Sequence, residues 1–86
     1  MYKVKYHKQV IKFLQKQDKK TVKTVIDFFD EIKKDLNFKN HDVKPLKGFK
    51  DVYRLRISKY RIVFKIKNDI LLINVIKAGS RGDVYK

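Results

Sequence analysis

The sequence predicts an α+β domain in which a helical hairpin packs on one face of an antiparallel sheet. Three observations favour this class: apolar residues at helical spacing in the first half, alternating apolar and polar residues in the second half, and the resulting element order β-α-α-β-β-β. The chain has 86 residues, 43 % of them hydrophobic, so we expect residues 1–86 to form a single domain with a small core.

The first half predicts one strand and two helices. Residues 2–6 alternate apolar and polar side chains, which is typical of a short strand. Residues 8–17 change to helical spacing, and a longer helix is predicted from about Asp18 to Leu36, with Asp18 as its N-cap. Residues 37–48 are polar, contain the only proline and predict a loop.

The second half predicts three strands joined by tight turns. Residues 52–57 and 60–67 alternate in polarity, and residues 70–76 are mostly apolar and β-branched. Residues 58–59 and 68–69 fall between these strands as two-residue turns. The three strands therefore form an antiparallel meander, whereas the position of the N-terminal strand in the sheet stays open.

The composition indicates a strongly basic protein and excludes several kinds of chemical site. The 23 Lys and Arg residues outnumber 9 Asp and Glu, giving a net charge of +14. This charge predicts a polyanionic partner, although a lysine-rich surface also arises from composition alone. The absence of cysteine and the presence of only two histidines exclude disulfides and thiolate or His-rich metal sites, and favour a cytoplasmic location. The longest apolar run has four residues, against about 20 for a membrane span, so no membrane association is expected.

The arginines are clustered, whereas the lysines are spread along the chain. Nineteen of the 23 cations are Lys, and the four arginines all lie in the last third: Arg54, Arg56, Arg61 and Arg81. The planar guanidinium group can grip a phosphate through two parallel hydrogen bonds, which an ammonium group cannot do. The clustering therefore favours a phosphate-binding surface over chance.

The predicted turn at residues 58–59 sets the register of the hairpin and places Arg56 directly opposite Arg61. One face then carries the charged side chains, and we call it the arginine face: Val52, Arg54, Arg56, Arg61, Val63 and Lys65. The other face is apolar and aromatic and must pack on the helices. Because like charges directly opposite each other destabilise a sheet, either an anion lies between them or the side chains splay into solvent.

The sequence after the third strand, residues 78–86, contains two glycines together with Arg81 and Tyr85, which are suited to stabilising charge and transferring a proton. We expect both to lie within reach of the arginine face. From the residues alone, Tyr85 could instead be a terminal aromatic that frays or packs into the core.

Four segments together resemble the signature of the RelE/ParE toxin superfamily, and most closely that of its RelE branch. They are VKPLKG at residues 43–48, VYRLRI at 52–57, YRIVF at 60–64 and AGSRGDVY at 78–85. The predicted element order also matches that fold, so the resemblance extends over essentially the whole chain. It implies the toxin of a type II toxin–antitoxin pair that cuts mRNA in the ribosomal A site and needs no metal or other cofactor.

The resemblance also implies a set of catalytic residues. Carried over by motif, it comprises Arg54, Arg56, Arg61, Arg81 and Tyr85. In the implied reaction the 2′-OH of the RNA attacks the adjacent phosphorus and leaves a 2′,3′-cyclic phosphate. Arg56 and Arg61 would hold the phosphate, Arg54 would steady the attacking side, Arg81 would stabilise the leaving oxygen and Tyr85 would be the base.

The resemblance implies two partners, the ribosome with its mRNA and an inhibitory antitoxin. Seven lysines are candidates for RNA-backbone contacts: Lys8, Lys12, Lys16, Lys19, Lys20, Lys23 and Lys47. They would face ribosomal RNA around the 30S A site and the mRNA within it. A RelB-like antitoxin is expected to cover the site, with a toxin–antitoxin heterotetramer as one assembly.

Two other functions stay open at this point. One is a ParE-like toxin that inhibits DNA gyrase by binding, which the full set of four arginines and Tyr85 argues against. The other is a non-catalytic basic RNA-binding domain in which Tyr85 only stacks on a base. A cleavage assay on ribosome-bound mRNA separates all three.

Overall fold

A five-stranded mixed sheet with two helices packed on one face makes up residues 1–80, the part of the chain that the computed structural model describes. Along the chain the elements are β1 (Lys3–Tyr6), α1 (Lys8–Gln15), α2 (Lys19–Ile32), β2 (Val43–Pro45), β3 (Val52–Ile57), β4 (Tyr60–Lys67) and β5 (Leu72–Ser80). The predicted α+β class is confirmed, with one strand more than expected.

The strands lie in the order β1-β5-β4-β3-β2, which answers the question of where the N-terminal strand belongs. β1 pairs in parallel with β5, and the other neighbouring pairs are antiparallel. The helical hairpin therefore carries the chain from one edge of the sheet to the other and covers the face that it crosses. Within residues 1–80, neither helix has the length and hydrophobicity that a membrane span requires.

The two helices begin where the sequence predicts. The Asp18 carboxylate accepts a hydrogen bond from the Thr21 backbone N–H at 2.8 Å, which confirms the predicted N-cap of α2. This helix ends at Ile32, however, four residues before the predicted end at Leu36. The Lys33 carbonyl accepts a hydrogen bond from the Tyr2 backbone N–H at 2.9 Å, so a tertiary contact satisfies the backbone at the helix end.

The core lies between the helices and the apolar face of the sheet, as predicted. Phe64 on β4 is at its centre, with ring-centroid distances of 5.3 Å to Phe29, 5.9 Å to Phe28 and 5.7 Å to Tyr53. Its strand neighbour Ile62 is also fully buried. The period-2 pattern of β3 and β4 thus sorts the core side chains correctly.

The prediction that residues 37–48 form only a loop was wrong. Residues Val43–Pro45 form β2, with Val43 opposite Leu55 on β3. A proline is tolerated there because β2 is the edge strand, where a missing N–H need not break a ladder. A three-residue strand containing proline is too short to show alternating polarity, so β2 could not be predicted from the sequence.

The predicted turn at residues 68–69 was also wrong. Asn68–Ile70 form a 3₁₀ turn, and Leu71 follows with a φ of 50°, so that Lys67 is paired with Leu72. An additional residue, Ile76, then forms a bulge opposite the Val63/Phe64 step. β5 extends to Ser80 instead of ending near Lys77, and it includes Ala78, Gly79 and Ser80, which were predicted to follow the last strand.

Candidate functional site

The predicted hairpin register is confirmed, and it brings two arginines face to face. Arg56 is directly opposite Arg61, and Arg54 lies on the same face opposite Val63. The Arg56 backbone N–H points away from β4 and donates to the Asp42 carbonyl at 2.9 Å. Arg56 and Arg61 are therefore a non-hydrogen-bonded pair, the closer kind, with Cα atoms about 4.5 Å apart.

The row continues onto β5, where the residue opposite Arg61 is Gly79. Glycine presents no side chain, so nothing on β5 at this level competes with the two guanidinium groups for space. The row formed by Arg56, Arg61 and Gly79 is a place where two cations lie side by side on a sheet surface. An anionic group bound there would remove the repulsion between them.

A carboxylate already holds two of the arginines. Asp42, just before β2, accepts a hydrogen bond from Arg56 Nε at 2.9 Å and lies 3.4 Å from Arg54 Nη1. The hydrogen bond from Arg56, with the positive charges of Arg54, Arg56 and Lys44, holds the pKa of the Asp42 carboxyl below its usual range. Sequence reasoning missed Asp42 because it lies in the segment predicted as loop, 12 residues before Arg54.

The two arginines held by Asp42 have different surroundings. The side chain of Arg56 is 51 % exposed, whereas Arg54 as a whole is only 8 % exposed. Arg54 shares the arginine face with Val52 and Val63, which are buried in a second small apolar cluster. The central part of the arginine face is therefore covered. Only its Arg56 end keeps a well-exposed guanidinium group on β3.

Side chains from β2 and β5 provide that cover. Leu46, just after β2, and the bulge residue Ile76 on β5 pack against Val52 and Val63. Neither neighbour could be placed from the sequence, since β2 was not predicted and the bulge shifts the register of β5. The covered part of the face holds Arg54 firmly, so this residue can support Arg56 through the shared carboxylate.

The Asp42 contacts predict a pH-dependent contribution to stability. Because the pKa of Asp42 is lower in the folded chain, its carboxylate stabilises the fold above the unfolded pKa of about 4. This contribution is lost as the pH falls through the lower folded value. We expect Asp42→Asn to lower the thermal midpoint at pH 6 to 7, and the difference from the native chain to shrink towards about pH 2.

Thermal unfolding followed by circular dichroism across this pH range tests the expectation. The control is Asp35→Asn, which removes an exposed carboxylate beyond the end of α2. A difference between native and Asp42→Asn chains that stays constant with pH, or that Asp35→Asn reproduces, would contradict the role assigned to the carboxylate.

The predicted RNA-binding lysines are distributed over several separate places. Lys12 and Lys16 line a cleft of about 510 Å³ between α1 and the ends of β4 and β5, together with Lys59. The Gln9 side chain holds α1 there by bonding both backbone groups of Ala78, at 2.8 and 2.9 Å. This cleft adjoins the strand ends that carry Arg61 and Gly79. A cationic cleft therefore lies beside the row formed by Arg56, Arg61 and Gly79.

The other lysines do not join this cleft. Lys8 begins α1 and is exposed, as are Lys19 and Lys20 in the first turn of α2. Lys23 forms an ion pair with Asp27 at 2.9 Å, so its charge is partly offset within the helix. Lys47 lies in the connection between β2 and β3, at the opposite end of the sheet.

Two predicted catalytic residues, Arg81 and Tyr85, lie outside the described residues. The last described residue, Ser80, is opposite Tyr60, and Gly79 before it is opposite Arg61.

Comparisons with known proteins agree with the fold and with the motifs. The family model for the ParE toxin of the type II toxin–antitoxin system parDE matches residues 4–85. A protein of Methanocaldococcus jannaschii named toxin RelE1 is 30 % identical over 86 residues, covering 99 % of this chain and 96 % of the relative. A RelE-like toxin protein of Escherichia coli is 33 % identical over 88 residues, covering 98 % and 90 %.

The fold of this chain also matches that of a solved structure. The crystal structure of the archaeal RelE–RelB complex from Pyrococcus horikoshii contains a chain that matches this one with a TM-score of 0.82 and 32 % identity. The match covers 95 % of this chain and 97 % of the other. Family model, relatives and structure extend over nearly the whole length of the chain, which therefore belongs to the ParE toxin family of type II toxin–antitoxin systems, within the RelE/ParE superfamily.

Proposed function

We propose that this toxin is a ribosome-dependent endoribonuclease that cleaves mRNA in the A site. The single observation that supports it most is the direct pairing of Arg56 with Arg61 on an exposed end of the sheet. Two like charges placed opposite each other repel within a sheet, whereas a phosphodiester would attract both. The relatives named RelE, at 30 % and 33 % identity, favour this activity over inhibition of DNA gyrase.

In the proposed reaction the RNA supplies its own nucleophile. The 2′-hydroxyl oxygen attacks the adjacent phosphorus in line while its proton passes to a base, and the bond from phosphorus to the 5′-oxygen breaks. The products are a 2′,3′-cyclic phosphate and a 5′-hydroxyl, whose proton comes from an acid or from water. Arg56 and Arg61 would bind the non-bridging oxygens and stabilise the extra charge of the phosphorane.

Three further residues would take part in the reaction, two by electrostatic support and one by proton transfer: Arg54, Arg81 and Tyr85. Arg54 would steady the attacking side from its buried position through the carboxylate of Asp42. Arg81 would stabilise the leaving 5′-oxygen. Tyr85 would accept the 2′-proton as a phenolate, the form of a tyrosine that nearby cations favour.

The proposed partners follow from charge and from the relatives. The cleft with Lys12, Lys16 and Lys59 would contact the RNA backbone of the 30S A site, a contact that positions the toxin without reading sequence. The relative from Pyrococcus horikoshii was solved as a complex with RelB. We propose that a RelB-like antitoxin binds this chain too, with acidic residues complementing its net charge of +14, and that a heterotetramer is one assembly.

The test is a cleavage assay on ribosomes programmed with a defined mRNA. Arg81→Ala and Tyr85→Phe are each expected to reduce cleavage by about a hundredfold or more, because each removes a group from the transition state. The circular dichroism spectrum should stay unchanged in both variants.

Three outcomes separate the candidate functions. Ribosome-bound cleavage with a 2′,3′-cyclic end supports the proposal, whereas inhibition of gyrase supercoiling without RNA cleavage would assign the ParE-like function. RNA binding without cleavage in either assay would leave a basic RNA-binding domain. Full activity of both Arg81→Ala and Tyr85→Phe would contradict the roles given to these residues.

A further inference from the structure

The connection between β2 and β3, residues 46–51, carries an aromatic side chain that packing does not explain. Phe49 is 66 % exposed and belongs to neither apolar cluster. Five large hydrophobic residues are exposed within residues 1–80, and Phe49 is the only aromatic one among them. A single exposed hydrophobic residue is common on protein surfaces, so exposure alone would mean little.

The backbone of this connection holds Phe49 in a defined position. The Phe49 N–H donates to the Leu46 carbonyl at 3.2 Å, and Gly48 between them has a φ of 86°. These are the features of a type II turn, in which the third residue needs a positive φ and is usually glycine. A Cβ at Gly48 would meet nothing within 4 Å, so the glycine serves the turn and not a close contact.

The connection is anchored on the arginine face. Its first residue, Leu46, packs on Val52 and Val63, which belong to that face. Its N–H also donates to the Val52 carbonyl at 2.9 Å. The row of Arg56 and Arg61 lies about 13 Å farther along β3 from Val52, so one extended strand of RNA could touch both places.

The charges beside Phe49 match a nucleic acid. Exposed lysines lie on either side of it in the chain, Lys47 and Lys50, and a third exposed lysine, Lys44, lies in the middle of β2. An aromatic ring flanked by cations is the arrangement with which proteins bind single-stranded RNA, since bases stack on the ring and phosphates pair with the cations.

We propose that Phe49 is a stacking platform for a base of single-stranded RNA, several nucleotides from the phosphate bound by Arg56 and Arg61. This site rests on the proposed function, because it serves the same RNA. Its role is to hold the strand in register on the arginine face, so that the scissile phosphate meets the row of arginines. Lys47, predicted as an RNA contact, belongs to this site and not to the helical lysines.

The chain contains no tryptophan, so Phe49→Trp introduces a single fluorescent reporter at the site. The ligand is a short single-stranded RNA with 2′-O-methyl groups throughout, which cannot be cleaved because its nucleophile is blocked. Binding is followed independently by the anisotropy of a labelled oligonucleotide. We expect binding to quench the fluorescence of Phe49→Trp but not that of the control Ile70→Trp, whose site is 60 % exposed and follows Asp69.

A second variant measures how much the ring of Phe49 contributes to RNA binding. Phe49→Leu keeps an apolar side chain but removes the ring, and we expect it to weaken RNA binding by about fivefold to a hundredfold. The dependence of affinity on salt should stay the same, because no phosphate contact is lost. Phe49→Tyr should restore the native affinity, since it restores the ring.

The outcomes distinguish this site from the proposed function. Binding reported by anisotropy, with unchanged tryptophan fluorescence in Phe49→Trp or native affinity in Phe49→Leu, would overturn the stacking site and leave the nuclease proposal intact. Quenching by the antitoxin but not by RNA would overturn it as well and make this connection a protein contact. If the native chain bound neither free nor ribosome-bound RNA, the proposed function would fail, and this site with it.

Discussion

Replacing Arg61 with alanine is expected to reduce cleavage of ribosome-bound mRNA by about a hundredfold or more. Arg61 lies between Arg56 and Gly79 in the row across β3, β4 and β5, so its guanidinium group is at the centre of the proposed phosphate site. Removing one preorganised cation from a transition state that gains negative charge has an effect of this size. Initial rates at saturating and limiting ribosome concentrations measure the loss in kcat and in kcat/KM.

Two matched variants show whether the effect depends on the geometry or only on charge. Arg61→Lys keeps the charge but loses the planar fork of donors, so we expect an intermediate rate. Lys65→Ala removes the same charge from the same strand and face, but four residues from Arg61 and opposite Val52. It should change the rate by only a few fold, mainly through weaker RNA binding at high salt. Equal losses in Arg61→Ala and Lys65→Ala would argue against a specific phosphate site.

Phe64→Ala is expected to lower the free energy of unfolding by about 3 to 5 kcal/mol. Phe64 is fully buried, and its ring contacts those of Phe28, Phe29 and Tyr53, so its removal leaves a cavity that both helix and sheet residues line. A domain of this size has roughly 5 to 10 kcal/mol of total stability, so the variant would be close to unfolding at 37 °C. Chemical denaturation followed by circular dichroism measures the change.

Phe49→Ala is the matched control, because it removes the same side chain from an exposed position. We expect its free energy of unfolding to lie within about 0.5 kcal/mol of the native value. A comparable loss at both positions would mean that the core is not centred on Phe64. The same Phe49→Ala chain should bind RNA more weakly, so this one variant separates stability from binding.

The pairing of Arg56 with Arg61 could be predicted because two local rules agree on it. A two-residue turn at Ser58 allows one pairing of the strands, and the alternation of apolar residues allows one choice of inner face. A slip of one residue would turn every core side chain of the hairpin towards solvent. For the same reason, the bounds of β3 and β4 and the burial of Phe64 follow from the chain alone.

The environment of the arginines could not be predicted in this way. Asp42 reaches Arg54 and Arg56 only because β2 forms beside β3, and a three-residue strand that ends in proline has no periodic signal. Arg54 is buried because Leu46 from that same region covers its neighbours. Each of these contacts joins segments that no local pattern links.

The local chain chemistry thus decides where the two helices of this toxin begin, the bounds of β3 and β4, which face is apolar and which two arginines oppose each other, since turn geometry and side-chain periodicity act over a few residues. The place of β1 beside β5, the bulge at Ile76, the carboxylate between Arg54 and Arg56 and the burial of Arg54 arise only when distant segments pack. Those features depend on which edges and surfaces must be covered once the sheet is assembled, and that requirement exists only in the folded chain.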